Sequence, residues 1–172
     1  MRPTDDLRDE HKAVLVAISI IEGIAGKLER GQAVPKEHLE QVSEFLRGFV
    51  DKCHHGKEET ALFPAMQAAG VPRDGGPIGA MLAEHETGRA LVRQMAETGS
   101  FARTGRQYAA LLRSHIEKEN GVLFPLADKV LSGETQHRLE QEFERIEETV
   151  VGHGKHEQYH AMLRSLKALY AV

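Results

Sequence analysis

Apolar residues recur along most of this chain at intervals of three and four. Leu7, Val14, Leu15, Ile18, Ile21 and Leu28 follow Thr4, Asp5 and Asp6 with a period near 3.6, and His11 falls on the same stripe. Alternating β-branched runs are scarce, and no Asn-Gly or Asp-Gly pair joins two of them. Breaks come at "RGQAVP" (30–35), "AGVPRDGGP" (69–77), "TGSFARTG" (98–105) and "LSG" (131–133). The pattern predicts helices over about 5–29, 36–68, 78–97 and 102–131, and a fifth over about 134–150. "VVGHG" (150–154) interrupts the last of these, and an amphipathic tail continues to Tyr170. Short connections between long helices favour antiparallel neighbours. The expectation is an all-α, up-down antiparallel four-helix bundle with an extra C-terminal helical segment. One domain is expected over 1–172, its core bundle at about 5–131 and its extension at about 134–170.

The polar positions repeat. "HHGKEETALFP" (54–64) returns as "HIEKENGVLFP" (115–125), so His54, Lys57, Glu58, Leu62, Phe63 and Pro64 have counterparts in His115, Lys118, Glu119, Leu123, Phe124 and Pro125. "DEHKAVL" (9–15) has a looser echo in "AEHETGRAL" (83–91), which pairs His11 with His85. The chain reads as two hairpins, each with one histidine on its first helix and His-x-x-x-Glu on its second. Residues four apart share a helix face, so each histidine and glutamate project together. Tyr108, Leu111, Leu112, His115, Glu119, Val122 and Leu123 form one otherwise apolar stripe that should face the bundle interior. His55 and Glu59 are also four apart, but rotated by about 100°. Aligning the two Leu-Phe-Pro endings selects His54 and Glu58 and leaves His55 and Glu59 as outer partners, surface residues or additional ligands.

Heights follow from the turns. Residues equidistant from an antiparallel turn sit at one level, and the midpoints of His11 with His54, Glu58 with His85, and His85 with His115 fall inside the first three breaks. Four imidazoles and two carboxylates would then share one layer. Burying two carboxylates costs several kcal/mol each unless they are paired or coordinated. Divalent metal supplies the missing charge, and four nitrogens with two oxygens and no thiolate cluster suit iron. The economical arrangement is two non-haem irons bridged by Glu58 and Glu119 and by a solvent-derived oxo or hydroxo group. His11, His54, His85 and His115 are then the terminal ligands, and a position stays open to a small ligand. Pro64 and Pro125 predict a matched bend or helix end one turn beyond each carboxylate.

The tail adds His153, His156 and His160. A straight return from "LSG" passes the ligand level near residue 147, so His156 or His160 could supply a further nitrogen only after a fold-back at "VVGHG". The simpler expectation is a capping helix. Cys53 reads as a packed small residue, and His38 and His137 read as surface.

Composition narrows the class. The chain has 172 residues, 41% apolar and 28% charged, with a net charge of −4 and no basic tract. This argues against nucleic acid as a partner, and no apolar stretch approaches a membrane span. One cysteine and no apolar leader core suit a cytoplasmic protein.

His11, His54-x-x-x-Glu58, His85 and His115-x-x-x-Glu119, with "CHHGKEE" and the Leu-Phe-Pro endings, resemble the hemerythrin-like, or HHE cation-binding, family over about residues 5–131. The resemblance implies a four-helix bundle with a non-haem di-iron centre directed at dioxygen, nitric oxide, peroxide or iron itself. Oxygen-carrying members have a second histidine one turn from the first on the third helix, where this chain has Met81 and Arg89. They also place an aspartate five residues after the last histidine, where this chain has Glu119 four residues after His115. Six ligands resemble the repair and regulatory branches more than the oxygen carriers. The expected function is binding or sensing of a small oxidant or gas. The alternative is an enzyme that turns over peroxide or nitric oxide, or delivers iron to damaged iron-sulfur clusters. A ferritin-like carboxylate bundle would need Glu-x-x-His pairs and more carboxylates.

Overall fold

The computed structural model describes residues 1–97 and 99–171; Thr98, in the third predicted break, lies outside them. Six helices follow one another, and no strand occurs among the described residues. Helix α1 is Pro3–Glu29, and α2 strings together Lys36–Phe45, Leu46–His55, Glu58–Leu62 and Phe63–Ala68. Helix α3 is Pro77–Met95, and α4 joins Phe101–Lys118, Glu119–Leu123 and Phe124–Val130. Helix α5 joins Gly133–Arg145 and Ile146–Gly152, and α6 is Lys155–Tyr170. Arg2 and Asp5 form a reciprocal cap on α1, with Pro3 in its first turn, and Ser132 caps α5 by accepting from the Thr135 amide at 3.1 Å.

Side-chain pairs give the helix directions. Thr4 meets Asp128, Glu22 meets Arg113 and Glu29 meets Arg106, so α1 and α4 run antiparallel. Asp51 with Arg89 and Glu59 with His85 set α2 against α3 in the same sense. Two apolar clusters stack along these helices. One is built around Ile18, Ile21, Phe45, Phe49, Tyr108 and Leu112, the other around Leu7, Leu62, Phe63, Met81, Leu123 and Phe124. The histidine and glutamate layer lies between them. Each fully buried large apolar side chain contributes roughly 1.5–3 kcal/mol, so dozens of them can carry a costly polar layer.

Helix α1 is buried over a wider arc than its predicted stripe: Ala13, Ala17, Ile20, Ile24 and Ala25 are also covered. The cause is α6, which packs along α1 after the chain reverses at Gly152 and Gly154, both at positive φ. Helix α4 starts at Phe101, within one residue of the expected 102 and inside the break read at 98–105. Gly105, read as part of the turn, is helical. A Cβ there would stand 2.9 Å from Ile21 Cγ2, so the glycine permits close approach of α1 and α4.

Pro64 and Pro125 do not end their helices. The amide of Phe63 bonds to the carbonyl of Glu58 and that of Phe124 to Glu119, five residues back in each case. A proline cannot donate to the carbonyl four residues earlier, which suits the wide π-type turn that starts at each glutamate; in α2 the stretch Leu46–His55 is wound the same way without a proline. The extra residue turns Val122 out of its predicted inward stripe: it is 59% exposed, while Leu123 is buried. No helix among the described residues is long and apolar enough to cross a membrane.

Candidate metal centre

His11, His54, His85 and His115 are each 1–2% exposed, and Glu58 and Glu119 are fully buried. Every one of the four imidazoles has its Nδ1 committed. His54 Nδ1 donates to Glu10 at 3.0 Å and His115 Nδ1 to Glu84 at 3.0 Å. His85 Nδ1 donates to Glu59 at 2.6 Å and His11 Nδ1 to Asn120 Oδ1 at 2.8 Å. The scheme repeats between the halves. Glu10 and Glu84 each precede the first-helix histidine of a hairpin and hold the second-helix histidine of the same hairpin. Glu59 and Asn120 each follow a buried glutamate and hold the first-helix histidine of the other hairpin. Lys57 and Lys118, three residues past their histidines, bind Glu10 and Glu84 in turn. The repeated phenylalanines close the floor: Phe124 stacks on His11 at 5.4 Å and Phe63 on His85 at 6.1 Å.

With Nδ1 donating, the Nε2 atoms face inward. His54 Nε2 lies 2.9 Å from Glu58 Oε1, and His85 Nε2 lies 3.1 Å from Glu58 Oε2, so the two oxygens of one carboxylate serve different halves. Glu119 Oε1 is 3.0 Å from His11 Nε2 and 3.2 Å from His115 Nε2. Two groups of donors result, His11-His54-Glu58-Glu119 and Glu58-His85-His115-Glu119, each within 4.8 Å and sharing both glutamates.

Most of these contacts are close without being satisfied. His11 Nε2 is hydrogen-bonded to Glu119 Oε1 at 3.0 Å, but His54 Nε2, both oxygens of Glu58 and Glu119 Oε2 have no hydrogen-bond partner. His85 Nε2 and His115 Nε2 face each other at 3.2 Å, where at most one proton fits between them. Ligands about 2.0–2.1 Å from one first-row cation stand about 3 Å apart, which matches this spacing. The donor set therefore fits cations better than it fits itself.

Charge tells the same story. Burial opposes a charge on His54, yet Glu58, Glu10 and Glu119 outweigh it and hold the imidazolium well above its ordinary range. Burial likewise opposes a charge on His85, but Glu58 and Glu59 raise it to about 9. Burial and the Glu119 charge push Glu58 up, and His54 and His85 bring it below its usual range. Glu119 resists burial through His11 and His115 and stands well below its usual range. The carboxylates stay ionised only where positive charge is gathered around them, which protons or divalent cations can supply.

The other predicted residues fall into place around this layer. Glu59 is an outer partner of His85 and is itself held by Arg89 at 2.6 Å, so Arg89 points away from the donor atoms. Met81 is packed in the apolar cluster beside Phe63 and Phe124. His55 is buried and stacked on His85 at 3.7 Å, and burial together with the His85 charge pushes it down to about 4. His156 and His160 stand outside, edge-on to Phe49 at 5.0 and 6.0 Å, and His156 Nδ1 lies 3.2 Å from Glu147. The fold-back does occur, but it brings His156 to Glu147 rather than to the inner donors. Glu147, the position predicted to pass at ligand level, bonds Lys57 at 2.7 Å and accepts from the Cys53 thiol at 3.2 Å. Burial and the Glu10 charge raise the Cys53 thiol far above its ordinary range, which suits a packed thiol and not a reactive thiolate. His38 is not free on the surface: its Nδ1 meets the Tyr170 hydroxyl at 2.6 Å. His137 is exposed.

Glu10, Glu84 and Asn120 were missed in the sequence. Their signal was present in the doubled Glu-His pairs at 10–11 and 84–85 and in the polar residue after each buried glutamate.

The fold and this layer define a helical cation-binding class. The family model described as hemerythrin HHE cation binding domain matches residues 2–127, and the chain belongs to that family. No curated protein and no solved structure matches the chain significantly.

Proposed function

We propose that helices α1–α4 form an up-down four-helix bundle, in one domain with α5 and α6, that holds two irons and binds or senses a small ligand such as dioxygen, nitric oxide or peroxide. His11 and His54 serve one iron and His85 and His115 the other, with Glu58 and Glu119 bridging. The observation that carries this reading is the division of labour on the imidazoles: every Nδ1 is spent on an outer acceptor, and every Nε2 faces a carboxylate shared by both halves. The nitrogen and carboxylate donors, without thiolate, suit iron.

Iron bound there supplies Lewis acidity and one-electron chemistry toward a small ligand. The chain supplies the rest. Glu10, Glu59, Glu84 and Asn120 fix the tautomer and ring angle of each histidine, and the carboxylates among them raise its basicity. Phe63, Phe124, Leu62 and Leu123, all 0–1% exposed, keep bulk water from one side of the layer. A cytoplasmic setting, where a lone buried thiol stays reduced, is part of the proposal.

Metal analysis and an absorption spectrum of aerobically purified protein test it. About two irons per chain with near-ultraviolet charge-transfer bands are expected. Zinc alone, or one metal per chain, overturns the paired-iron reading.

A further inference from the structure

A cavity of about 340 Å³ opens between α2, α3 and α4 and leads inward to His55 and His85. Leu46, Val50 and Val92 give it apolar walls, and Ala96 lies at its exposed end. His55 is 5% exposed, and neither of its ring nitrogens has a hydrogen-bond partner. The nearest acceptor, Asp51 Oδ1, is 3.5 Å from Nδ1 and out of alignment, being engaged by Arg89 at 2.8 Å. A neutral imidazole carries one donor and one acceptor, and leaving both buried and unmet is costly. Something outside the chain is needed to meet them.

A nitrogen of His55 comes within 4.8 Å of the His85 and His115 nitrogens, which raises the question of direct ligation. The ring planes answer it. His55 and His85 lie nearly parallel, 16° apart at 3.7 Å, so their in-plane lone pairs run side by side and do not converge on one point. His55 stands beside the His85–His115 half rather than within its donor set. Room differs around the layer. The inner space bounded by His11, His54, His55, His115, Leu112 and Ile116 touches both halves and is too tight for a water molecule, whereas of the four terminal histidines only His85 lines the open cavity.

We propose that exogenous ligand enters through this cavity, binds on the His85–His115 side, and is held there by a hydrogen bond to His55. The ligand class is a small electron-rich molecule of two or three heavy atoms, with an acceptor atom next to the one that meets the cation. This rests on the paired-iron reading above and adds the side of entry and the residue that grips the ligand.

Azide binding to the iron-loaded full chain, followed by stopped-flow and equilibrium absorption, tests it. Val92→Phe narrows the cavity and Ala96→Trp plugs its mouth from an exposed position. Each is expected to slow azide association about tenfold with two irons retained. His55→Phe keeps the stack on His85 but removes both nitrogens, and is expected to weaken azide binding about tenfold, mainly through faster dissociation. Leu169→Trp, on the exposed face of α6, should change nothing. Unaltered azide kinetics in the cavity variants and in His55→Phe, with normal iron content, overturn this inference alone. Loss of one iron in His55→Phe also overturns it, by making His55 a metal ligand. A wild-type chain that takes up no iron overturns both readings.

Discussion

The Glu59 carboxylate accepts the Nδ1 proton of His85 at 2.6 Å while Arg89 grips the same oxygen from the other side at 2.6 Å. The imidazole is thereby fixed in tautomer and in angle before any cation arrives. Outer partners of this kind are worth about 10–100-fold in metal affinity. Glu59→Ala is therefore expected to weaken ferrous or cobaltous binding by about that factor, measured by anaerobic titration. Glu59→Gln, which keeps an acceptor but not its charge, should recover part of the loss. Equal affinity in all three proteins would remove the orienting role.

Glu58 gives a prediction whose size depends on metal. Its two oxygens are buried without hydrogen-bond partners; burial and the nearby Glu119 charge oppose its ionisation, but His54 and His85 outweigh them and hold it ionised. In the metal-free protein Glu58 is thus the buried counter-charge of two imidazoliums, and removing its charge leaves them without it. Glu58→Gln is expected to lower the metal-free melting temperature by several degrees. In excess ferrous iron the gap to wild type should widen, because the variant holds at most one ion tightly and gains less from binding. Calorimetry with and without iron reads both arms; a gap that iron leaves unchanged would mean that Glu58 has a purely structural role.

How much of this was readable in the sequence depended on the range of the cause. The helices and the common height of His11, His54, Glu58, His85, His115 and Glu119 follow from local periodicity and from turn positions, and both survive into the structure as geometry. The orienting partners were harder to read, because Glu10 reaches His54 and Glu84 reaches His115 across the gap between helices, where one-dimensional periodicity says nothing. The breadth of the buried face on α1 was hidden for a similar reason: it depends on where α6 docks after the reversal at Gly152 and Gly154. The level of residue 147 was foreseen by counting along the chain. Its partners, Lys57 and Cys53, were not.

Glu147 predicts the acid limb of stability. Burial raises its carboxyl, but His156, Lys57 and the Cys53 thiol outweigh that and bring it down to about 2. A folded-state value below the unfolded one, about 4.3, gives stability that is fully present above the unfolded value and fades as pH falls toward 2. His156 has the opposite sign. Its hydrogen bond to Glu147 raises it, so its contribution is full below about 6.5 and disappears as pH climbs past the raised value. Glu147→Gln in the metal-free chain should cost about 1–2 kcal/mol near pH 6. By pH 2 the difference should shrink toward zero, because wild-type Glu147 is then about half protonated in the folded chain and almost wholly so in the unfolded one. Urea unfolding across that range measures it; a gap that stays constant from pH 6 to 2 would show that the Lys57–Glu147–His156 contacts carry no net stability.

The wide turns beyond Glu58 and Glu119 can be tested from outside the metal layer. Had α4 kept an ordinary helical register past Glu119, Val122 would share the inward stripe of His115 and Glu119, and a charge there would be severely destabilising. The bond from Phe124 to the Glu119 carbonyl inserts one residue, swings Val122 to 59% exposure and sends Leu123 to 1%. Val122→Lys is accordingly expected to stay within about 0.5 kcal/mol of wild type, as ordinary surface changes do. Leu123→Lys should cost more than about 3 kcal/mol and strip the chain of bound metal, since it drives an ammonium group against Phe63 and Phe124. Denaturant midpoints for the pair decide the register directly. Comparable damage from both would place Val122 back on the inner face and mean that the helix runs through Pro125 without its extra residue.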